Sequence, residues 1–244
     1  MAADGLIFAK ERQKRKNLIL ISPASSDENR IGAYFLRLAS IEIIDFLFGL
    51  GNPTRTIKAV AKFFERKSNE FSFEFVDFAR INGRPVGALL SYPAKIGKDF
   101  VLPMIFQSFG VYSPLELPRF FWRVLPVSNI NEQMAEDHQY YISYLAVLPD
   151  FQNQGIGTCL MEYAERKAIA SGFSECAICV LFENERARRL YERLGYEIVG
   201  IIESRYLKTH LEIKGICRMV KRLTRITVPT IQGVSLEEPE FLPA

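Results

Sequence analysis

The sequence predicts an α+β domain, a mixed α/β arrangement in which helices flank a sheet. Three observations point there. Helix-period apolar spacing fills the early part of the chain, an Asn-Gly dipeptide joins two strand-like runs, and strand and helix patterns alternate from residue 140 onward. The 244 residues are 48 % apolar, enough for a real core and too many for disorder.

The elements follow in order. Leu18 to Ser22 reads as a short strand closed by Pro23, and Ser26-Asp27-Glu28 offers helix-start chemistry. Ile31, Tyr34, Phe35 and Leu38 recur at i, i+3, i+4, i+7, so a helix runs on until Gly49, Gly51 and Pro53 stop it. A second helix opens near Thr54, with Ile57, Val60, Ala61 and Phe64 on one stripe. The period then changes: Phe71, Phe73 and Phe75 alternate with polar residues in a strand over 71–81, Asn82-Gly83 makes a hairpin turn, and a strand follows over 84–92.

Residues 94–138 hold four prolines and many aromatics, too apolar for a solvated linker. They read as an insertion with short helical turns. It lines an acceptor pocket, covers a sheet face or makes a dimer contact. A strand over 140–147 ends at Pro149, a helix carries Ile156, Cys159, Leu160, Tyr163, Ala164 and Ala168, and a strand covers 175–182. Ala187, Leu190, Tyr191 and Leu194 mark a short helix closed by Gly195. Two last strands lie near 196–202 and 210–220. The expected organisation is a basic N-terminal arm (1–17), one domain (18–223) containing the 94–138 insertion, and an extended tail (224–244).

Composition narrows the function. Charge is nearly balanced, with 31 basic and 28 acidic side chains, which does not point to a nucleic-acid partner. Two histidines exclude a three-histidine metal site, and no metal is expected. Cys176 and Cys179 form a C-x-x-C on a strand, which puts the thiols on opposite faces. Buried apolar cysteines and a metal or redox pair are both open. A chain of this length with a full core needs no disulfide staples, so a reducing, cytoplasmic compartment is expected. No apolar run approaches the ~18 residues a membrane helix needs, so no membrane partner is expected.

The chemistry concentrates in Gln152-Asn153-Gln154-Gly155-Ile156-Gly157, where a strand turns into a helix. A helix start leaves N–H groups unpaired and carries positive dipole character, and glycines there let a phosphate approach the backbone. The spacing is neither a dinucleotide fingerprint nor a Walker loop, and a glycine turn serving packing alone is the other reading.

Three linked elements in this order resemble the GNAT superfamily of acyl-CoA N-acyltransferases. Gln152, Gly155 and Gly157 match its (Arg/Gln)-x-x-Gly-x-(Gly/Ala) segment, with Val147-Leu148-Pro149 before it. Asn184, Ala187, Tyr191, Gly195 and Tyr196 match its later signature. The close match covers roughly 140–200. The resemblance implies a mostly antiparallel, V-splayed mixed sheet, with the insertion between the third and fourth strands. It implies that the backbone of Leu145, Ala146 and Val147 pairs with the pantetheine of acetyl-CoA, that amides from Gln152 to Thr158 cradle the pyrophosphate, and that Asn184 touches the cofactor arm. It also implies that Tyr191 lies near the thioester sulfur and protonates the leaving thiolate. By its residues alone, Tyr191 shares a helical stripe with Ala187, Leu190 and Leu194 and also reads as core.

Attack by a neutral amine on a thioester suits this set, because a backbone N–H near Val147 can stabilise the oxyanion and a tyrosine can return a proton to a thiolate. The general base is less legible. Some similar enzymes carry a glutamate five residues before the asparagine, where this chain has Cys179. Glu132, Glu136, Asp137 and His138 precede the 140–147 strand, and Glu183 adjoins Asn184. One of these, or a water chain, takes the proton. The expected function is acetyl transfer to a primary amine on a small molecule or peptide, with a homodimer open. A non-catalytic acyl-CoA-binding or sensing module is the alternative. A nucleic-acid footprint formed by Lys10–Lys16 and Arg186, Arg188, Arg189 and Arg193 is a third reading, although those arginines interleave with Glu185 and Glu192 as a solvated face does.

Overall fold

A computed structural model of the chain describes residues 19–224, apart from the side chains of residues 128, 129, 131 and 132. The expected basic arm, nearly all of the expected tail and the Glu132 side chain lie outside the described residues. Seven strands form one sheet: β1 (Leu20–Pro23), β2 (Val76–Ile81), β3 (Arg84–Pro93), β4 (Tyr140–Val147), β5 (Glu175–Leu181), β6 (Glu197–Ile202) and β7 (Ile216–Arg222), in the order β1-β2-β3-β4-β5-β7-β6. Every neighbouring pair is antiparallel except β4–β5.

Helix ends follow side-chain chemistry. Ser25 and Glu28 form a reciprocal capping box ahead of α1 (Asn29–Ala39). The expected single helix up to Gly49 breaks at Ser40, whose φ of −155° leaves the helical region, and α2 (Ile41–Gly49) starts afresh. Asn52 caps α3 (Pro53–Phe64) by accepting from the Thr54 N–H, with Pro53 in the first turn.

The strand expected over 71–81 begins only at Val76. Ser72 caps a short 3₁₀ turn over Phe73–Phe75 by accepting from the Glu74 N–H, so a local side-chain bond overrides the alternating phenylalanines. The Asn-Gly hairpin stands as expected, with Asn82 and Gly83 both at positive φ. The insertion is more regular than its prolines suggest. A 3₁₀ stretch (Ala94–Phe100) leads into α4 (Val101–Ser108), and α5 (Leu117–Met134) follows. Pro103 and Pro118 sit in first turns, where a missing N–H costs nothing, and of these prolines only Pro126 is inside a helix. The last expected strand starts six residues late: His210 lies in α8 (Arg205–Leu211), which Ser204 caps.

The sheet separates two cores. Phe35, Phe48, Phe63, Phe64 and Phe120, carried by α1–α3 and α5, fill one face, and Ile156, Leu160, Met161, Ala164 and Ala168 of α6 (Ile156–Ala170) fill the other. Neighbouring residues alternate between them: Tyr141 faces the first core, and Tyr140 and Ile142 the second. Cys176 and Cys179 fall on opposite faces, as their spacing requires, and Cys159, Cys176, Cys179 and Cys217 are all free thiols. Among the described residues no helix is long and apolar enough to cross a membrane, and no cluster of three His, Cys, Asp or Glu side chains is placed to hold a metal ion.

Candidate active site

β4 and β5 pair only from Tyr140–Cys176 to Ile142–Ile178. Beyond that they diverge, although β4 continues to Val147 and β5 to Leu181. The divergence starts at a bulge. Partners on β3 step from Ser91–Ile142 to Leu90–Tyr144, which leaves Ser143 as the extra residue on β4. Leu145, Ala146 and Val147 pair with Leu89, Ala88 and Gly87 on one side and have no strand on the other. A V-shaped opening with free backbone edges is therefore built into the sheet.

A cavity of about 460 Å³ runs through this opening. It draws Phe71, Phe120 and Val127 from the first core, and Ile178, Val180 and Tyr191 from the second. α4 and α5 wall one side with Val101, Met104, Ile105, Phe121 and Val124. Of the readings open for the insertion, two have structural support: it walls this pocket, and Phe120 and Val127 of α5 pack in the core on one face of the sheet.

Tyr191 projects from α7 (Glu185–Arg193) and is only 5 % exposed, yet it borders the cavity. Its hydroxyl makes no hydrogen bond among the described residues, and burial alone raises its pKa well above the ordinary tyrosine value. It is thus a neutral O–H donor. Asn184 also borders the cavity, and its side-chain oxygen accepts from the Ala187 N–H at 3.1 Å as the N-cap of α7. That bond fixes the helix start and so the direction from which Tyr191 enters.

The loop at the start of α6 is tied to the same opening. Gln152 donates through Nε2 to the Val147 carbonyl at 3.0 Å, and the side-chain oxygens of Gln152 and Asn153 accept from Arg186 at 2.7 and 2.9 Å. Gln154 donates to the Asp150 carbonyl. Gly155 has φ of +81°, a conformation that disfavours any Cβ, with nothing nearby to crowd one. Gly157 serves close packing instead, since a Cβ there would stand 3.3 Å from Leu190 on α7. Ile156 is buried beneath the loop, and Thr158 follows in the first turn of α6. None of Gln152 to Thr158 lines the cavity; they lie past the tip of β4. Arg186 is the charge at this loop, which the sequence placed either in a nucleic-acid footprint or on a solvated face.

The expected base candidates are elsewhere. His138 is exposed between Glu136 and Glu175, Glu136 also pairs with Arg218, and Asp137 pairs with Lys98 at 3.3 Å. Glu183 accepts from the Lys214 N–H. None of the four borders the cavity. Cys179 does, but its thiol donates to the Met134 carbonyl, and burial pushes its pKa up to about 12, so no reactive thiolate stands there.

Two carboxylates do border the cavity, Glu42, exposed at its rim, and Glu70 within. The Glu70 Oε1 accepts from Ser143, the bulge residue, at 3.0 Å and from Tyr92 at 3.3 Å. Burial raises its pKa, partly offset by those two hydroxyls, and no cation pairs with it among the described residues. Asn69, itself fully buried, locks the turn beside it. Its Nδ2 faces the Phe63 and Arg66 carbonyls, and its Oδ1 accepts from the Phe71 N–H. Sequence reasoning missed Glu70 because one acid among five residues of mixed polarity carries no periodic signal; its burial comes from contacts distant in the chain.

A family model described as the acetyltransferase (GNAT) family matches residues 39–196. Solved structures share the fold at low identity. An N-acetyltransferase from Staphylococcus aureus Mu50 superposes with a TM-score of 0.61 at 15 % identity, covering 83 % of this chain and all of that one. A polyamine N-acetyltransferase from Drosophila melanogaster gives 0.55 at 14 % identity, over 84 % of this chain and all of that one. A GNAT family acetyltransferase from Elizabethkingia anophelis with acetyl-CoA bound gives 0.51 at 18 % identity, over 85 % and 100 %. With the splayed strands, the glycine loop and the buried tyrosine in the arrangement described, the chain belongs to the GNAT acetyltransferase family.

Proposed function

We propose that the protein transfers an acetyl group from acetyl-CoA to a primary amine by direct attack, with Glu70 as general base and Tyr191 as general acid. The observation that carries this reading is one cavity bordered by a half-buried carboxylate that has no counter-ion and by a tyrosine hydroxyl that has no hydrogen-bond partner among the described residues.

The chain's own groups fit the donor. The open edge of β4 over Leu145 to Val147 offers backbone donors and acceptors to an amide-bearing arm, and the start of α6, with Arg186 beside it, suits a pyrophosphate. Acetyl-CoA supplies, when bound, a thioester carbonyl that a neutral amine can attack. Glu70 takes a proton from the incoming ammonium at Oε1 or Oε2, which its raised pKa makes easier than for a solvated carboxylate. A backbone N–H at the free edge of β4 stabilises charge on the carbonyl oxygen. Tyr191 holds its proton at neutral pH and gives it to the departing sulfur, whose conjugate acid has a pKa of about 8.5, and the second proton of the amine nitrogen returns to the tyrosine as the tetrahedral adduct collapses to the amide. Apolar walls on both sides exclude water and limit hydrolysis.

The test is a thermal-shift titration with acetyl-CoA followed by detection of acetylated amine. Stabilisation together with product supports the enzyme. Stabilisation without product from any amine would instead support a binding or sensing module.

A further inference from the structure

The cavity's chemistry bears on which amine it accepts. Its walls are apolar on nearly every side, with Phe100, Met104, Ile105, Phe120, Phe121 and Val124 on the insertion side. Two carboxylates border it: Glu70 within, and Glu42, which is exposed, at the rim. Among the described residues no lysine or arginine borders it.

Each acceptor class meets these facts differently. One ammonium can rest at Glu70, which otherwise keeps a half-buried charge with no cation beside it among the described residues. A second ammonium, as in a polyamine or an aminoglycoside, would meet only Glu42, an exposed and solvent-screened carboxylate at the rim, and a third would enter apolar walls without a partner. An amino-acid carboxylate would find no cation. A peptide would bury amide groups against side chains that offer them few hydrogen bonds. A long acyl chain would fill the walls and leave Glu70 unpaired. The volume suits one small ligand.

Resting on the acetyltransferase reading, we propose that the acceptor is a small primary monoamine with an apolar aromatic or aliphatic body, its nitrogen at Glu70 and its body between α4, α5 and the Leu38–Ile43 segment. The insertion is then the element that sets acceptor specificity.

The experiment uses the full chain. Binding of acetyl-CoA is measured by thermal shift. CoA release and acetylated product are then followed with 2-phenylethylamine, hexylamine, spermidine, kanamycin, glycine and a leucine-initiated tetrapeptide. The expected result is a kcat/KM for the two apolar monoamines about 100-fold or more above that for spermidine, since each unpaired buried ammonium costs several kcal/mol. Equal or better turnover of spermidine, kanamycin, glycine or the peptide overturns the proposal and leaves the acetyltransferase reading standing. Transfer that requires a long-chain acyl-CoA overturns both the proposal and the acetyl-CoA reading. No acetyl-CoA binding and no product from any amine defeats both readings.

Met104→Trp, which fills the cavity, should raise KM for 2-phenylethylamine about 10-fold while changing that for ethylamine little, with acetyl-CoA binding kept as the check on folding. Equal effects on both amines count against the proposal. If that variant does not fold, Ile105→Phe makes the same comparison, and the wild-type panel decides independently of either.

Discussion

Glu70→Gln separates catalysis from architecture at a single position. The amide keeps an acceptor for the Ser143 and Tyr92 hydroxyls and nearly the same volume, so the pocket should persist. It loses the basicity. A positioned general base contributes roughly 100- to 10,000-fold, or about 3–5 kcal/mol of barrier, and kcat/KM should fall by that range. Stability should move the other way. Burial raises the Glu70 pKa, so the folded state holds this proton more tightly than the unfolded chain does. Below the unfolded value both states are protonated and the carboxyl costs nothing. As pH rises from the unfolded value to the folded one the unfolded chain ionises first and native stability falls, and above the folded value the penalty is constant. The variant should therefore gain about 1 kcal/mol at pH 8, a Tm rise of roughly 2–4 °C for a domain of this size, and the gain should vanish toward pH 4. Paired thermal scans at pH 4 and pH 8, with a pH–rate profile of acetyl transfer, provide the assay. The wild-type profile should show an acid limb above the ordinary carboxylate value of 4.5 that the variant lacks. Activity within about threefold of wild type, with the limb intact, would remove Glu70 from proton transfer.

Other perturbations probe the frame around this residue. Tyr191→Phe removes a hydroxyl that makes no hydrogen bond, so stability should stay within about 0.5 kcal/mol and acetyl-CoA affinity should hold, while turnover falls roughly 100-fold or more; unchanged single-turnover rates would assign the tyrosine to packing alone. Asn69→Ala deletes the side chain that knits the turn before Glu70, and should cost about 1–3 kcal/mol in urea unfolding, with kcat falling more than acetyl-CoA affinity. Gly155→Ala forces a Cβ into the left-handed region and should cost about 1–2 kcal/mol by thermal denaturation, with no steric penalty from neighbours. Lys167→Met removes the cation from Asp77, which is 1 % exposed and paired with Lys167 at 2.9 Å, and leaves it the Tyr163 hydroxyl at 3.1 Å. It should destabilise by about 2 kcal/mol, discounted because the lysine is itself about a third exposed, and Asp77→Asn in the same chain should recover much of the loss.

The legible parts of the molecule were those carried by local chemistry. The Asn82-Gly83 turn, the Tyr140–Val147 strand and the helix after Gly155 follow from turn preference and period, and each stands where the residues put it. The Asn184–Tyr191 spacing was legible too, because one short helix carries both the cap and, about two turns on, the tyrosine. What escaped depends on contacts between distant segments. Phe71, Phe73 and Phe75 alternate like a strand, yet the Ser72 cap and their packing against the insertion and β4 hold a turn instead. Glu70 became a site residue only when β4 bulged at Ser143, 73 positions along the chain, and placed a hydroxyl against it. Acids such as Glu136 and Asp137, close to β4 in sequence, lie at the opposite end of the strand from its open edge and pair with Arg218 and Lys98.

The most direct test of the central claim is mass-spectrometric detection of acetylated 2-phenylethylamine, formed from acetyl-CoA by the wild-type chain, Glu70→Gln and Tyr191→Phe at equal acetyl-CoA occupancy. The account predicts product from the wild type and at least ~100-fold less from each variant. Full occupancy by acetyl-CoA with no acetylated amine from the wild type, or equal yields from all three proteins, would contradict it.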